Sequence, residues 1–153
     1  MRKLFFLAVA VVACTKAETP KADTVAAAPP PPAKLTAADV AGNWSGTSKM
    51  EKSDSVLNKW IAVHVTDSTG KLVIEGSKDS IAYTMKYDAD SMIATSSPYP
   101  MPMPKKGQKG PKVTFRSVGW LKDGKLTGTS TVMLAAKPDS VVQRTRWEAT
   151  KTP

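Results

Sequence analysis

The chain has 153 residues and a formal net charge of +9, with one cysteine and one histidine. A single cysteine excludes an internal disulfide, and one histidine with one cysteine cannot form the usual zinc cluster. Much of the excess positive charge lies in one stretch, 104–112, whereas nucleic-acid binders carry a broad basic face. We therefore expect no nucleic-acid partner.

The first thirteen residues are organised like a secretory signal peptide. Arg2 and Lys3 supply positive charge, Leu4 to Val12 form an uncharged apolar run, and Ala13 precedes Cys14. This run is much shorter than the roughly 20 residues that a transmembrane helix needs. The pattern predicts a cleaved signal over residues 1–13.

The residues Val11-Val12-Ala13-Cys14 resemble the lipobox of bacterial lipoproteins. The resemblance implies diacylglycerol on the Cys14 sulfur, cleavage before Cys14 and acylation of the new amino group, which together make a stable membrane anchor. Thr15 stands where an Asp commonly retains such proteins in the inner membrane. This implies a protein anchored in the outer membrane, with its domain facing the periplasm or the exterior. The alternative is an ordinary signal peptide with a cysteine near its cleavage site.

Residues 14–36 are predicted to form a disordered tether, and residues 37–153 a single folded domain. The tether is rich in Ala, Pro and Lys and has no apolar period. Such a segment cannot bury enough surface to offset the entropy of ordering it. The remaining length suits one hydrophobic core.

Hydrophobic alternation with a period of two predicts an all-β domain. Alternate residues from Ile81 to Tyr87 are apolar, and Asp123-Gly124 has the chemistry of a two-residue hairpin. A type I turn is also expected at Lys137–Ser140. Eight strands are predicted, near residues 42–52, 58–67, 71–78, 80–88, 91–97, 112–122, 125–136 and 140–150. A helical turn is expected before the first strand, in residues 35–40.

Short connections predict sequential antiparallel pairing, and so an up-and-down meander that closes as a small barrel. Gly42-Asn43-Trp44 at the first strand resembles the Gly-x-Trp signature of lipocalin-type barrels. That resemblance implies that Trp44 lies at the closed end and packs against an arginine of the last strand, Arg144 or Arg146. Smaller envelope barrels of the avidin-like or lysozyme-inhibitor-like type fit the length equally well.

The predicted function is non-enzymatic binding of a hydrophobic small molecule inside the barrel. Trp60, Tyr83, Tyr87 and Phe115 are the predicted ligand contacts, and the alternative is that they fill the core. No motif places a nucleophile or an acid beside the lone His64, so neither catalysis nor a cofactor is expected.

Residues 96–112 form a Pro-, Met- and Lys-rich segment, which we call the arm. Its four alternating prolines predict an extended loop that does not pair in a sheet. The thioethers of Met101 and Met103 suit copper(I), but the sequence specifies no coordination geometry and no metal site is predicted. The arm offers an alternative function, which is contact with a partner protein, peptidoglycan or anionic lipid. The lysines predicted to make this contact are Lys105, Lys106, Lys109 and Lys112.

Overall fold

The computed structural model describes residues 34–64, 67–101 and 110–153, which form an all-β domain. Its elements are α1 (Ala37–Val40), β1 (Asn43–Met50), β2 (Val56–His64), β3 (Thr69–Ile74), β4 (Ser80–Asp88), β5 (Ser91–Ser96), β6 (Tyr99–Pro100), β7 (Lys112–Lys122), β8 (Lys125–Leu134) and β9 (Lys137–Thr152). Within this described part, no helix has the length and apolar character needed to cross a bilayer.

Eight of the nine strands form a closed antiparallel barrel, as the sequence predicts. β1 to β5 pair in chain order, β7 to β9 pair in chain order, and β1 pairs with β9. Pairing between β5 and β7 closes the ring. The ninth strand, β6, has only two residues and pairs with β7 beyond the end of β5.

Each strand turns one face toward the barrel interior. In β4 the residues Ile81, Tyr83 and Met85 are buried while their neighbours in sequence are exposed, which confirms the predicted alternation. In β2 the inward residue is Ala62, whereas the β-branched Ile61 faces outward and is 52 % exposed. β2 therefore contributes Ala62 and Trp60 to the barrel interior, while its β-branched Ile61 and Val63 lie on the outer face.

The N-terminal segment closes one end of the barrel, which we call the closed end. α1 is the predicted helical turn, and at its N-terminus the amide and the hydroxyl of Thr36 both donate to the Asp39 carboxylate. Val40 and Leu35 are buried, and the Leu35 amide donates to the Ala89 carbonyl in the β4–β5 turn at 2.9 Å. Leu35, which the sequence analysis placed in the tether, thus packs as part of the barrel.

Trp44 lies at the closed end, as the lipocalin resemblance implies, but its partner differs from the expected arginines. The side chain is 2 % exposed, and its Nε1 donates to the Val40 carbonyl at 2.8 Å. Lys151, the residue opposite Trp44 on β9, holds its Nζ 5.8 Å from the centroid of the Trp44 ring. A lysine therefore takes the place of the expected arginine.

The pleat of β9 explains why Arg144 and Arg146 do not reach Trp44. Both alternate with the inward-facing Thr145 and Trp147, so both point outward. Arg146 also lies about 16 Å along the strand from Lys151, at about 3.3 Å per residue. It forms an ion pair with Asp54 near the opposite end of the barrel. The implied Trp–Arg contact is absent.

The predicted turn at Lys137–Ser140 is also displaced. The hairpin turn between β8 and β9 lies at Ala135 and Ala136, and β9 begins at Lys137. Leu134 pairs with Lys137 and Met133 pairs with Val141, so Pro138 falls in an irregularity of the ladder. A bulge is where a strand accepts a proline, because the missing N–H is not needed there. By contrast, the Asp123-Gly124 hairpin is confirmed, with positive φ at both residues.

Candidate ligand-binding cavity

The barrel interior contains a cavity with a volume of about 140 Å³. Aromatic rings from six different strands contribute to its wall. These are Trp44 of β1, Trp60 of β2, Tyr83 of β4, Tyr99 of β6, Phe115 of β7 and Trp147 of β9. Trp44 and Leu126 form part of the wall toward the closed end, and Leu57 and Met101 part of it toward the other end. The cavity is therefore a predominantly apolar space.

Two glycines allow the indole rings to lie flat against the wall. A Cβ at Gly128 would meet Trp147 Cε2 at 2.7 Å and collide with the Val118 carbonyl, and a Cβ at Gly46 would meet the Trp60 ring at 2.6 Å. Such distances are too short for real Cβ atoms, so only glycine leaves room for these rings. The missing side chains thereby create the space that the two tryptophans occupy.

The aromatic rings contact one another across the interior. Trp60 and Trp147 meet edge to face, with ring centroids 5.9 Å apart and planes inclined by 74°. Phe115 lies 6.3 Å from Tyr83 and 6.2 Å from Tyr99 between ring centroids. Edge-to-face and tilted pairs at these distances stabilise by about 0.5–1.5 kcal/mol beyond the area they bury. The wall thus contains two groups of contacting rings, the pair Trp60–Trp147 and the trio Tyr83, Phe115 and Tyr99.

Most polar groups at the cavity wall have partners. Trp60 Nε1 donates to Ser48 Oγ at 2.9 Å, and the hydroxyls of Ser117 and Ser130 hydrogen-bond to each other. Trp147 differs, because its Nε1 is buried without an acceptor in the described part of the chain. An unsatisfied buried donor costs about 1–3 kcal/mol. It is therefore the polar group in this wall that most needs an explanation.

The cavity is electrically neutral. None of the described residues that line it is a lysine, arginine, aspartate, glutamate or histidine. Burial raises the pKa of Tyr83 far above its ordinary value, with a smaller contribution from Tyr87, and burial also raises the pKa of Tyr99. Both phenols therefore stay protonated at neutral pH. A ligand inside would meet aromatic rings and uncharged polar side chains.

Three of the four predicted ligand contacts meet at the cavity. Trp60, Tyr83 and Phe115 line it, whereas Tyr87 does not. The Tyr87 hydroxyl lies 3.9 Å from Met85 Sδ, and burial together with the charge of Asp67 raises its pKa. Tyr87 shares the inward face of β4 but lies one residue from the end of the strand, near the closed end. It therefore packs on the core below the cavity.

Sequence reasoning missed Trp147, Trp44 and Tyr99 as lining residues. The signal for Trp147 was present, since it shares one face of β9 with Thr145 and alternates with the charged Arg146 and Glu148. Tyr99 was missed because the prolines of the arm predicted that it does not pair in a sheet. That prediction is wrong at the start of the arm, where Tyr99 and Pro100 pair with β7. Pro100 is tolerated because β6 is an edge strand, where one N–H can be absent from the ladder.

The remaining predicted positions stay largely outside the described residues. Cys14, Lys105, Lys106 and Lys109 belong to ranges 1–33 and 102–109, which the structure does not describe. Lys112 is exposed at the first position of β7. The Met101 amide donates to the Pro111 carbonyl at 3.0 Å. The described ends of the arm therefore meet at the end of the barrel opposite α1.

His64 is the last residue of β2. The described residues contain no group of three or more His, Cys, Asp or Glu side chains able to hold a metal. Met101 lines the cavity, whereas Met85 and Met92, two further methionines of the described residues, are buried in the hydrophobic core. The described residues therefore bring together no group of side chains that could bind copper(I).

No family model, curated protein or solved structure matches this chain.

Proposed function

We propose that this chain is a lipid-anchored cell-envelope protein whose barrel binds a small hydrophobic molecule. The observation that carries the proposal is the aromatic-lined cavity of about 140 Å³ in the barrel interior. Protein interiors are normally packed with few voids larger than a water molecule. An apolar space of this size forfeits packing contacts, and a ligand that filled it would restore them.

Binding without catalysis is proposed because of the chemistry of the wall. General acid–base and nucleophilic catalysis need a group whose pKa lies near the working pH, beside a partner that orients it. The tyrosines of the wall have pKa values raised away from neutrality. Of its three serines, Ser117 and Ser130 hydrogen-bond to each other and Ser48 accepts the Trp60 N–H. These groups suit recognition of an apolar molecule.

Ligand binding is tested by filling the cavity from one side. Ala94 of β5 lines it and is 5 % exposed, so Ala94→Leu should occupy part of the space. We expect calorimetric titration with toluene to show binding to the wild-type domain and at least tenfold weaker binding to Ala94→Leu. Ala82→Leu is the matched control, because Ala82 is exposed on the outer face of β4. Absence of wild-type binding to toluene and to larger single-ring probes would contradict the proposal.

The anchor is supported by the sequence, through the lipobox-like residues before Cys14 and the absence of Asp at position 15. Several acyl chains hold a protein stably, since each buried methylene contributes about 0.8 kcal/mol. Cys14→Ser should therefore abolish palmitate labelling and move the full-length protein from the detergent phase to the aqueous phase. Thr15→Ser is the control, and it should remain labelled. Labelling that persists in Cys14→Ser would show that acylation occurs elsewhere.

A second candidate function is contact with an envelope partner or surface through the arm. It is favoured by the position of the arm's base, where β6 and the Met101–Pro111 hydrogen bond fix both sides of the arm at one end of the barrel. A segment held there can reach a surface without disturbing the strands. Its lysines suggest an anionic target, and the corresponding test is given in the Discussion.

A further inference from the structure

The end of the barrel opposite α1 carries most of the large apolar side chains that the described part of the chain exposes. Five of the nine such residues lie there, with exposed fractions from 39 % to 52 %, and we call them the rim: Met50, Val56, Leu57, Val141 and Val142. Single exposed apolar residues are ordinary on a protein surface, whereas a cluster of them marks a contact surface.

Three residues of the rim lie side by side on β1 and β9. Val141 and Val142 belong to the part of β9 that extends beyond β1, whose last pair joins Met50 to Thr145. Met50, Val141 and Val142 border one open depression together with Gln143. Gln143 also lines the cavity, and its Nε2 donates to Met50 Sδ at 3.2 Å. This part of the rim is therefore one continuous surface that borders the cavity.

Leu57 connects the other part of the rim to the cavity. Its side chain lines the cavity and is nevertheless 45 % exposed. At the closed end, by contrast, Leu35, Val40 and Trp44 are at most 5 % exposed. The cavity therefore opens past Leu57, and the rim lies around its mouth.

A lipid bilayer fits a surface of this kind. Proteins that lie on a membrane bury apolar side chains in the boundary between headgroups and acyl chains, and their binding strengthens with the apolar area buried and with attraction to anionic lipids. A hydrophobic ligand also concentrates in the bilayer rather than in water. The mouth of the cavity thus has its apolar border on the side where such a ligand would be found.

The charges of the two ends favour the rim as the end that meets an anionic surface. The three turns at the closed end each contain an aspartate, and these are Asp67, Asp90 and Asp123. At the other end the chain leaves the barrel after Met101 and rejoins it, and residues 102–109 contain three lysines and no acidic residue. Lysines near an anionic bilayer are attracted to it. An anionic bilayer therefore attracts the rim end more strongly than the closed end.

The proposed anchor leaves the rim free to reach the membrane. An anchor at Cys14 is joined to the barrel at Lys34, near the closed end, through 20 peptide units. A chain of that length can span up to about 70 Å. β1 runs from the closed end to the rim in eight residues, which is about 27 Å. The chain is therefore long enough for either end of the barrel to contact the bilayer.

We propose that the rim docks the barrel on an anionic lipid bilayer, with the mouth of the cavity against the membrane. The apolar rim residues enter the headgroup boundary, and the outer wall of the barrel stays in water. This docking goes beyond the proposed ligand binding and does not depend on it, because the rim is exposed whether or not the cavity is filled.

A fluorophore placed at single positions tests the orientation. The non-acylated Cys14→Ser protein contains no other cysteine, so Val56→Cys and Ile61→Cys each provide one labelling site for the polarity-sensitive dye NBD. Val56 and Ile61 are both 52 % exposed, but Ile61 lies on the outer wall of β2. With phosphatidylcholine vesicles that contain phosphatidylglycerol, we expect the dye at position 56 to brighten and shift to the blue, and nitroxide-labelled lipids to quench it. The dye at position 61 should change little. Equal responses at the two positions would overturn the proposed orientation.

A pair of double variants tests the contribution of the rim to affinity. Val56→Asp with Val142→Asp changes the rim, and Ile61→Asp with Val63→Asp is the matched control on the outer wall. Both add the same charge at positions of similar exposure. We expect the rim variant to sediment with the same vesicles at least tenfold more weakly than the wall variant, with both folded by circular dichroism. Equal binding by the two variants, or no binding by the wild type, would overturn the docking. Either result would leave the proposed ligand binding standing, since toluene titration measures that separately.

Discussion

At the scale of single residues, the buried tyrosines should make stability depend on alkaline pH. Burial raises the pKa of Tyr83 well above its ordinary value of about 10. The folded state therefore keeps its proton at a pH where the unfolded state loses it. Because the folded state then binds more protons, stability is fully present below about pH 10 and falls as the pH rises further.

We expect the urea midpoint of the wild-type domain to fall more steeply between pH 9 and pH 11 than that of Tyr83→Phe. Lysines also titrate in this range, and the comparison of the two proteins cancels their contribution. Tyr83→Phe should also show a smaller fall than a variant at an exposed position, such as Thr84→Ser. Parallel curves for the wild type and Tyr83→Phe would contradict the argument.

Residue-level reasoning from the sequence found part of the cavity. Trp60, Tyr83 and Phe115 converge because alternation assigns each of them correctly to an inward face, and closure then brings their strands around one interior. The unpaired Trp147 N–H could not be predicted, since it depends on which residues lie opposite in the register. Ser48 and Gly128 become the neighbours of Trp147 only when β1 and β8 flank β9. The register of β1 and β9 likewise places Lys151, and neither of the expected arginines, opposite Trp44.

At the scale of elements, α1 and Leu35, two residues before it, act as a plug for the closed end. Leu35 and Val40 are 5 % and 0 % exposed. Full burial of a Leu or Val side chain contributes about 1.5–3 kcal/mol. A domain that begins at Ala37 should therefore unfold with a free energy about 1.5–3 kcal/mol lower than one that begins at Lys34, as measured by urea denaturation.

The matched control is Leu35→Ala in the longer domain. It should reproduce most of the loss in free energy of unfolding, because the side chain is removed while the backbone amide at position 35 still donates to the Ala89 carbonyl. Equal stability of the domains that begin at Lys34 and Ala37 would show that the closed end does not depend on Leu35.

Strand positions were predictable along most of the barrel, and the departures share a cause. The sequence located all eight long strands because polar turns and period-two alternation mark each one. It misplaced the β8–β9 turn and missed β6, both at prolines. A proline signals only that an N–H is missing, and the ladder can absorb that loss at a bulge or at an edge strand. Tyr99 joins the cavity because of this tolerance.

At the scale of the whole molecule, closure decides whether the inward residues make a core or a cavity. The sequence predicted a barrel but left both outcomes open, because eight strands enclose a space that side chains nearly fill. Glycines at positions 46 and 128, together with Ala62 and Ala94, supply little volume to the interior wall. Small residues on several strands therefore leave room that no single strand pattern could reveal.

The arm adds a prediction for the molecule as a unit with its membrane. The four lysines at 105, 106, 109 and 112 form the densest positive charge in the chain, and a lysine near an anionic surface contributes about 1 kcal/mol. The non-acylated domain should therefore bind vesicles with 30 % phosphatidylglycerol at low salt, as measured by sedimentation. Changing all four lysines to Ser should reduce this binding at least tenfold.

A charge-matched control separates the arm from the overall charge of the protein. Lys59, Lys71, Lys86 and Lys125 are exposed on the barrel wall, and changing these four to Ser removes the same charge. Vesicle binding should survive in this variant. In the wild type and in this variant alike, binding should weaken as salt shortens the screening length to about 8 Å at physiological ionic strength. Equal loss in the two variants would mean that net charge alone attracts the domain. Equal binding by all three proteins would remove the arm from the contact, and the interior cavity would then carry the proposed function alone.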